Sequence, residues 1–286
     1  METAAYAPES YARITADEGF SGDDLSEVWR YRDLVWLFVK RGFTVQYKQT
    51  ILGPLWVVLQ PLATSIVWLF VFGGIAQIGT DGVPGILFYL GGNALWSHFS
   101  FCTSSNSRTF TDNAYLFGKV YFPRLVMPVA NMISSIITFG IRMLVFVPLY
   151  LWFFVHGEVG GTLLAIPGTI GLLVLLGAMG IGFGIIFSSF TVKYRDLNVL
   201  VGFGMSLWTY ATPVVYPLTT ITDPMLRIVM QLNPVTAPVE LFRSVMFGTG
   251  TVEMWAIAYS VIFTLVILAF GIRRFAKVER TFIDTV

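Results

Sequence analysis

Side chains that could transfer protons or bind a metal ion are few and widely separated in this sequence of 286 residues. The two histidines, His98 and His156, have no obvious partners. Pairs of acidic residues occur only near the N-terminus, as at Asp23-Asp24, and the single cysteine, Cys102, cannot build a cysteine-ligated zinc site. We therefore expect no catalytic residue and no metal site in this chain.

The sequence also has no loop that would hold the phosphates of a nucleotide. Gly118-Lys119 lacks the upstream glycine and the following Ser or Thr of a phosphate-binding loop. The glycines of Gly180-Ile-Gly-Phe-Gly184 lie inside an apolar stretch rather than after a strand. Their spacing predicts a small-xxx-small face, which lets two membrane helices approach closely. If the protein uses ATP, another chain binds it.

Three charged residues stand in apolar surroundings. Arg142 interrupts a long apolar stretch, where a charge is costly and is often functional. It has either a functional role or a structural one, in which it pairs with backbone carbonyls or reaches the membrane surface. Glu240 and Arg243 are one helical turn apart, which predicts either a local ion pair that stabilises a short helix or a direct role in gating.

The composition indicates what kind of protein positions these residues. Hydrophobic residues make up 55% of the chain and charged residues 12%, with a mean hydropathy of +0.72, whereas soluble domains carry roughly 25% charged residues. A membrane-spanning helix needs about 20 mostly apolar residues. The sequence predicts an all-α integral membrane protein with six transmembrane helices: Leu52–Ile78, Pro84–Asn106, Leu125–Val155, Thr162–Phe190, Val199–Pro217 and Met254–Ile272.

The distribution of basic residues predicts the orientation of these spans. With both termini in the cytoplasm, fifteen of the eighteen Lys and Arg residues fall in cytoplasmic segments. This orientation places His98 and His156 on or near the outer side. The net charge of +1 gives no reason to expect a nucleic-acid partner.

The remaining segments flank or interrupt the spans. Residues 1–25 are expected to form a polar, flexible tail, residues 26–48 a cytoplasmic amphipathic interface helix, residues 49–272 the transmembrane domain and residues 273–286 a cytoplasmic C-terminal tail. The interface helix has basic residues suited to anionic headgroups. Its predicted apolar face comprises Tyr31, Leu34, Val35, Phe38 and Val45.

Between the fifth and sixth spans, residues 218–253 are apolar but broken by three prolines. The pieces near Met225–Leu232 and Ala237–Phe247 are too short to span a bilayer. We expect them to be re-entrant helices, or helices that lie on the membrane surface.

Two of the predicted spans carry polar side chains mixed with aromatic rings. Aromatic rings stack on the apolar faces of sugars, and hydroxyl and amide groups bond to sugar hydroxyls, although the same residues also suit plain contact between helices. The substrate-channel candidates on the first and fifth spans are Gln60, Thr64, Trp68, Ser206, Trp208, Thr209, Tyr210 and Tyr216.

The loop Asp112–Arg124, DNAYLFGKVYFPR, has the composition of a short amphipathic helix. Its basic residues Lys119 and Arg124 stand between aromatic residues. The loop would either dock into a groove of a partner or form a solvated connector at the lipid headgroups.

Several motifs, in order along the chain, carry a family resemblance. They are Tyr47–Trp56 with Gln60-Pro61, Lys119–Arg124, Tyr194–Leu197, Thr212–Pro217, Asn233-Pro234 followed by Glu240–Arg243, and Phe275–Asp284. Together they resemble the ABC-2 type permeases that export polysaccharides and their lipid-linked precursors, such as O-antigen, capsule and teichoic acid. One departure is Arg41-Gly42, where the family often has an Arg-Asp pair.

The resemblance implies a homodimer in the inner membrane of a bacterium, bound to two copies of a separate cytoplasmic ATPase. ATP and Mg²⁺ would bind that ATPase, and this chain would carry no cofactor. The first and fifth spans would line the channel for a lipid-linked glycan, and the re-entrant segment, with Glu240 and Arg243, would gate its outer mouth. The residues implied in coupling to the ATPase are Asn113, Tyr115, Lys119, Tyr121, Phe122, Arg124, Tyr194 and Arg195.

Two other functions stay open at this point. An ABC-2 exporter of a drug or lipid would have the same architecture with a different cargo. A membrane enzyme of glycan assembly would need a cluster of carboxylates, which the sequence lacks.

Overall fold

The computed structural model describes residues 28–117, 119–120, 122–162, 165–194 and 196–283, with side chains as far as Phe275. Throughout this described part the regular structure is helical, without a β-strand, which confirms the predicted all-α class. The predicted tail of residues 1–25 lies outside the described residues. So do Tyr121 and Arg195 of the implied coupling set.

The helices follow one another with bounds close to the predicted ones. A 3₁₀ turn (Gly53–Leu55) precedes α2, a π-helical segment (Leu69–Ile75) continues it, and a second 3₁₀ turn (Leu218–Thr220) precedes α8. The two short helices predicted before the last span are confirmed as α8 and α9. The α-helices are α1 (Arg32–Tyr47), α2 (Trp56–Trp68), α3 (Gly85–Ser107), α4 (Thr109–Phe117), α5 (Val126–Val155), α6 (Ala165–Thr191), α7 (Leu197–Tyr210), α8 (Pro224–Gln231), α9 (Thr236–Phe247) and α10 (Met254–Ile283).

Within the described residues, four helices are long and apolar enough to cross a membrane. They are Gly53–Ile75, Val126–Val155, Ala165–Thr191 and Met254–Phe275. The predicted fifth span is different, because its helix α7 has 14 residues and ends at Tyr210 rather than at Pro217. Pro213 and Pro217 lack the N–H that a continuing helix needs, so the chain leaves the helix there.

The predicted second span, α3, is a 23-residue helix that lies at the centre of the bundle. It packs against α2, α5, α6 and α7, and its buried side chains are distributed all round the helix. Because α3 faces protein on every side, it can carry more polar residues than the four apolar helices. Asn93, for example, donates from Nδ2 to the carbonyl of Pro61 on α2 at 3.2 Å.

Helix α6 approaches α3 closely along its glycines, which confirms the packing that their spacing predicted. A Cβ on Gly180 would lie 2.6 Å from the Cβ of Cys102, and one on Gly184 would lie 2.5 Å from the Cβ of Asn106. The other side of α6 contacts α10, where a Cβ on Gly182 would lie 3.0 Å from the backbone nitrogen of Leu268. Close backbone contacts on two sides therefore fix α6 between α3 and α10.

Helix α1 packs on the first half of α5. Four of the five predicted face residues join this contact, whereas Val45 is 72% exposed and does not. The buried residues of α1 repeat every four positions, and because one helical turn takes 3.6 residues, their line winds slowly round the helix. Val39 and Phe43 belong to this line and Val45 does not.

The two ends of the bundle carry different structures. At the α4 end, the ring of Phe110 on α4 stacks on that of Phe275 in α10, with centroids 4.6 Å apart. At the α9 end, Tyr150 Oη of α5 donates to the carbonyl of Met246 on α9 at 2.9 Å. The fold therefore separates a loop-and-helix surface at one end from a group of short helices at the other.

Candidate functional site

The predicted channel residues on α2 lie on a partly covered side of the helix. Gln60 is exposed, whereas Thr64 and Trp68 are half-buried. The Thr64 hydroxyl donates to the carbonyl of Gln60 at 3.0 Å, and Trp68 packs against the core around α3. Gln60 is thus the polar side chain of this set that is open to a ligand.

On and after α7, the predicted channel residues face different directions, because side chains one or two positions apart point to different sides of a helix. Ser206 and Tyr210 are exposed, whereas Thr209 is buried and its hydroxyl donates to the backbone one turn earlier at 3.1 Å. Tyr216 lies beyond the helix, half-buried, and its hydroxyl donates to the carbonyl of Tyr210 at 3.0 Å.

The remaining residue of this set, Trp208, belongs to an aromatic cluster that joins α7 to α3 and α6. Its ring makes edge-on contacts with Trp96, Phe99 and Phe183, at centroid distances of 6.1, 5.3 and 5.2 Å. Such pairs add to the stabilisation that comes from buried area alone. Trp208 therefore attaches α7 to the bundle.

We expect Trp208→Ala to lower the free energy of unfolding by about 2 kcal/mol, less than for a fully buried tryptophan, because only part of the ring is covered. Tyr210→Ala removes an exposed ring and is expected to leave stability unchanged. Thermal unfolding of the two purified variants in detergent measures the difference. Equal stability of both variants would contradict the role of Trp208 as an anchor.

The implied coupling residues divide into an exposed and a buried group. Tyr115 is 72% and Tyr194 53% exposed, and Lys119 is exposed with its ammonium hydrogen-bonded to the Tyr115 hydroxyl. Asn113 is half-buried and donates from Nδ2 to the carbonyl of Thr109 at 3.0 Å. The exposed residues can reach another protein at the α4 end.

Phe122 and Arg124 point inward instead. Phe122 packs beside Phe38 of α1, with ring centroids 5.5 Å apart. Arg124 is 6% exposed and its guanidinium lies 5.1 Å from the centroid of Phe117. These two residues fix the loop to α1 and α4, which the alternation of basic and aromatic residues in the sequence did not indicate.

Glu240 and Arg243 form a buried ion pair on α9. Arg243 Nη1 donates to Glu240 Oε1 at 2.6 Å, and both side chains are almost fully buried. Arg243 Nη2 also donates to the carbonyl of Val214 at 3.2 Å, and its guanidinium lies 3.9 Å from the centroid of the Phe88 ring on α3. The second Glu240 oxygen accepts from the Thr251 backbone N–H at 3.0 Å. The pair thus joins α9 to three other segments.

The sequence matches the ABC-2 type transporter family over residues 33–247, from α1 to the end of α9. The chain belongs to the ABC-2 transporter family. It is similar to an O-antigen export system permease protein RfbA of Klebsiella pneumoniae, with 29% identity over 259 residues, which cover 88% of this chain and 94% of that protein. An O-antigen export system permease protein RfbA of Myxococcus xanthus is 25% identical over 222 residues, or 77% of this chain and 83% of that protein.

Two polar contacts at the centre of this ABC-2 permease were not expected from the sequence. His98 has partners after all: Nε2 donates to the carbonyl of Leu173 on α6 at 2.9 Å, and Nδ1 is hydrogen-bonded to the Ser135 hydroxyl on α5 at 2.8 Å. Asn131 of α5 donates to the side-chain oxygen of Asn106 at 2.9 Å. A polar residue inside an apolar stretch is itself a signal of a buried partner, and that signal was available for His98.

Arg142 is the charged residue within the long α5 helix of the permease. It is half-buried, and its Nε atom is enclosed without a hydrogen-bond partner. The functional and the structural role of Arg142 both stay predictions.

Proposed function

We propose that this chain is the permease subunit of an ATP-driven ABC exporter that moves a lipid-linked polysaccharide, an O-antigen-like glycan, outward across the cytoplasmic membrane. The observation that carries the proposal is the similarity to O-antigen export permeases along 88% of this chain. The helical fold of the described residues, with its long apolar helices, is the fold expected of a transport subunit.

The proposed arrangement has six transmembrane segments, with α3 and α7 as the second and fifth. Both termini lie in the cytoplasm, together with the α4 end, because the basic loops then face inward. The α9 end forms the outer mouth, where α8 and α9 are re-entrant and Glu240 and Arg243 hold the gate in place. The apolar residues of α8 that are exposed, such as Met225 and Val229, support contact with the membrane.

The partners in this proposal are a second copy of the chain and two copies of a cytoplasmic ATPase that binds ATP and Mg²⁺. Channel residues on α2 and α7 of both copies would contact the glycan, with Gln60, Ser206 and Tyr210 as exposed members. The exposed face of α1 supports contact with lipid headgroups, since the Lys40 ammonium nitrogen lies there 5.8 Å from the centroid of the Trp36 ring. ATP-driven movement of the ATPase would reach the channel through α4.

We expect Lys119→Ala to reduce ATP hydrolysis coupled to transport severalfold and to leave the permease folded, because Lys119 is exposed at the α4 end. Arg124→Ala is expected to lower stability instead, because Arg124 is buried among aromatic rings. Measurements of ATPase activity in vesicles and of thermal unfolding separate the two effects. A stable Arg124→Ala variant that loses only coupling would contradict the structural role given to Arg124.

The proposed function itself is tested by export from cells. Deletion of the gene is expected to remove the surface glycan and to leave lipid-linked glycan inside the cell, and a copy expressed from a plasmid is expected to restore export. The permease is also expected to co-purify with an ABC ATPase. Normal surface glycan together with increased sensitivity to a drug would favour the exporter of a drug or lipid instead.

A further inference from the structure

The two short helices α8 and α9 are attached to the bundle very differently. Every residue from Pro234 to Glu240, where α9 begins, is buried, whereas no residue from Thr219 to Val229 is. Four apolar side chains of α8 are more than half exposed: Met225, Leu226, Ile228 and Val229. α9 therefore belongs to the packed core at this end of the bundle. Residues 219–229 form an arm outside that core, which we call the α8 arm.

The corner that follows the α8 arm is held by side chains of other helices. The carbonyl of Leu232 accepts from the Tyr259 hydroxyl of α10 at 2.9 Å. The carbonyl of Pro234 accepts from the Ser260 hydroxyl, also on α10, at 2.7 Å. Asn233 Nδ2 donates at 3.0 Å to the backbone carbonyl directly after α7. The C-terminal end of the α8 arm is therefore fixed to α7 and α10.

The N-terminal end of the α8 arm is held by a single hydrogen bond. Thr219 Oγ1 donates to Asp81 Oδ1 at 2.6 Å. Among the described residues, this is the only hydrogen bond that joins the α8 arm to a distant segment of the chain. A hydroxyl that donates to a carboxylate makes a charge-assisted bond, which is stronger than a bond between neutral groups. The position of this end of the arm therefore depends on Asp81.

Asp81 lies at the tip of the tight turn between the first span and α3. The Val83 N–H donates to the Thr80 carbonyl at 3.1 Å, and the Thr80 hydroxyl donates to the Val83 carbonyl at 2.6 Å, so the turn is closed on itself. Asp81 has a φ of 53°, a conformation that Asp tolerates better than most residues do. Val83 is buried beside α3. If the first span moves, the turn rotates about Val83 and carries Asp81 with it.

The first span reaches this turn through its π-helical segment, Leu69–Ile75. At the end of the segment, the Ala76 N–H donates to the Val71 carbonyl, five residues earlier, at 2.9 Å. Phe70 and Ile75 are largely exposed, so their packing does not oppose a rearrangement. π-Helical segments are rare and are frequent at functional sites. A change to the four-residue bonding of an α-helix would lengthen the segment and rotate the turn that follows it.

We propose that Asp81 is a positioning residue that couples the first span to α8. When the π-helical segment changes its bonding, the turn moves Asp81, and the bond to Thr219 moves the N-terminal end of the α8 arm. The other end stays on α7 and α10, so α8 tilts. This role deepens the proposed function, on which the placement of α8 at the outer mouth rests, because it connects a span that lines the channel with the gate.

Hydrogen–deuterium exchange of the full-length permease in lipid nanodiscs tests the contact. Thr219→Val removes the hydroxyl and keeps the shape, and we expect it to raise the exchange rate of the α8 backbone N–H groups about threefold or more. Thr219→Ser keeps the hydroxyl and should exchange like the wild type. The matched control is Thr220→Val, because the Thr220 hydroxyl bonds to the nearby carbonyl of Pro217 at 2.7 Å. If Thr219→Val exchanges no faster than wild type or Thr220→Val, the proposal is overturned.

A substitution in the π-helical segment tests the coupling. Gly74→Ala favours α-helical bonding, because alanine is the best helix former and glycine one of the poorest. Apart from the adjacent residues and the backbone of the neighbouring turn, the nearest heavy atom to its Cβ would be the backbone oxygen of Leu69 at 4.0 Å, so the variant fits. We expect Gly74→Ala to change the exchange rate of α8 about twofold or more in the wild type and to leave it unchanged in Thr219→Val.

An effect of Gly74→Ala on α8 that is absent from the wild type, or that is the same in both backgrounds, would overturn the coupling through Asp81. The exchange measurement needs neither glycan nor ATPase. A negative result therefore leaves the proposed export function to its own test in cells, and a failure of export does not alter the exchange result.

Discussion

Arg243→Met is expected to lower the free energy of unfolding by about 3–5 kcal/mol, the cost of breaking a buried ion pair by removing one partner. The variant would leave the Glu240 carboxylate almost fully buried, without the guanidinium that lies 2.6 Å away. It would also remove the hydrogen bond to Val214, which connects α9 with the segment after α7. Unfolding of the purified permease in detergent, followed by heat or by titration with a denaturing detergent, measures the loss.

The chain offers a matched control in an exposed ion pair. Arg108 and Asp112 are 3.6 Å apart, with side chains that are 50% and 60% exposed, and Arg108→Met should cost at most about 1 kcal/mol. The double variant Glu240→Gln/Arg243→Met should be more stable than Arg243→Met, because no buried charge is left. A similar small loss in Arg243→Met and Arg108→Met would mean that the pair does not hold α9 in place.

Gly184→Val is the second variant with a large expected effect, a loss of about 3 kcal/mol in the free energy of unfolding. A Cβ at this position would lie 2.5 Å from the Cβ of Asn106 and 2.8 Å from the backbone oxygen of Thr103. A backbone oxygen cannot rotate away, so α3 and α6 would have to separate. The midpoint of thermal unfolding, together with the fraction of monodisperse protein after purification, measures the effect.

Gly171→Val is the control for this variant, since it lies on the same helix and, apart from the adjacent residues and the backbone of that helix, no heavy atom lies within 4 Å of the position that its Cβ would take. It should fold and unfold like the wild type. Were Gly171→Val and Gly184→Val equally unstable, the loss would come from valine in the helix rather than from the contact with α3.

The long helices of this fold were predictable from the sequence because length and apolarity alone define them. α5 is continuous from Val126 to Val155, as its apolar run predicted, and Arg142 does not interrupt it. Pro224 marks the first residue of α8, where the missing N–H costs nothing, and Asp223 caps the helix by accepting from the Met225 N–H at 2.8 Å. Local chemistry was sufficient for these elements.

The orientation of side chains was less predictable, because apolar residues face lipid and protein alike in a membrane protein. Trp208 and Tyr210 looked equivalent in the sequence, yet one is in an aromatic cluster and the other is exposed. Lys119 and Arg124 also looked equivalent, and the difference between them depends on the aromatic rings of α4. Val45 likewise has the helical spacing of the other α1 face residues, yet it lies outside their contact with α5.

The central position of α3 has a consequence for the synthesis of the protein. Its polar side chains are satisfied partly by helices that are translated later: Ser135 of α5 and Leu173 of α6 bond to His98, and Asn131 of α5 bonds to Asn106. Helices with such residues insert poorly into lipid by themselves. We expect α3 to enter the bilayer stably only after α5 and α6 have left the ribosome, so that the order of translation and the order of membrane insertion differ.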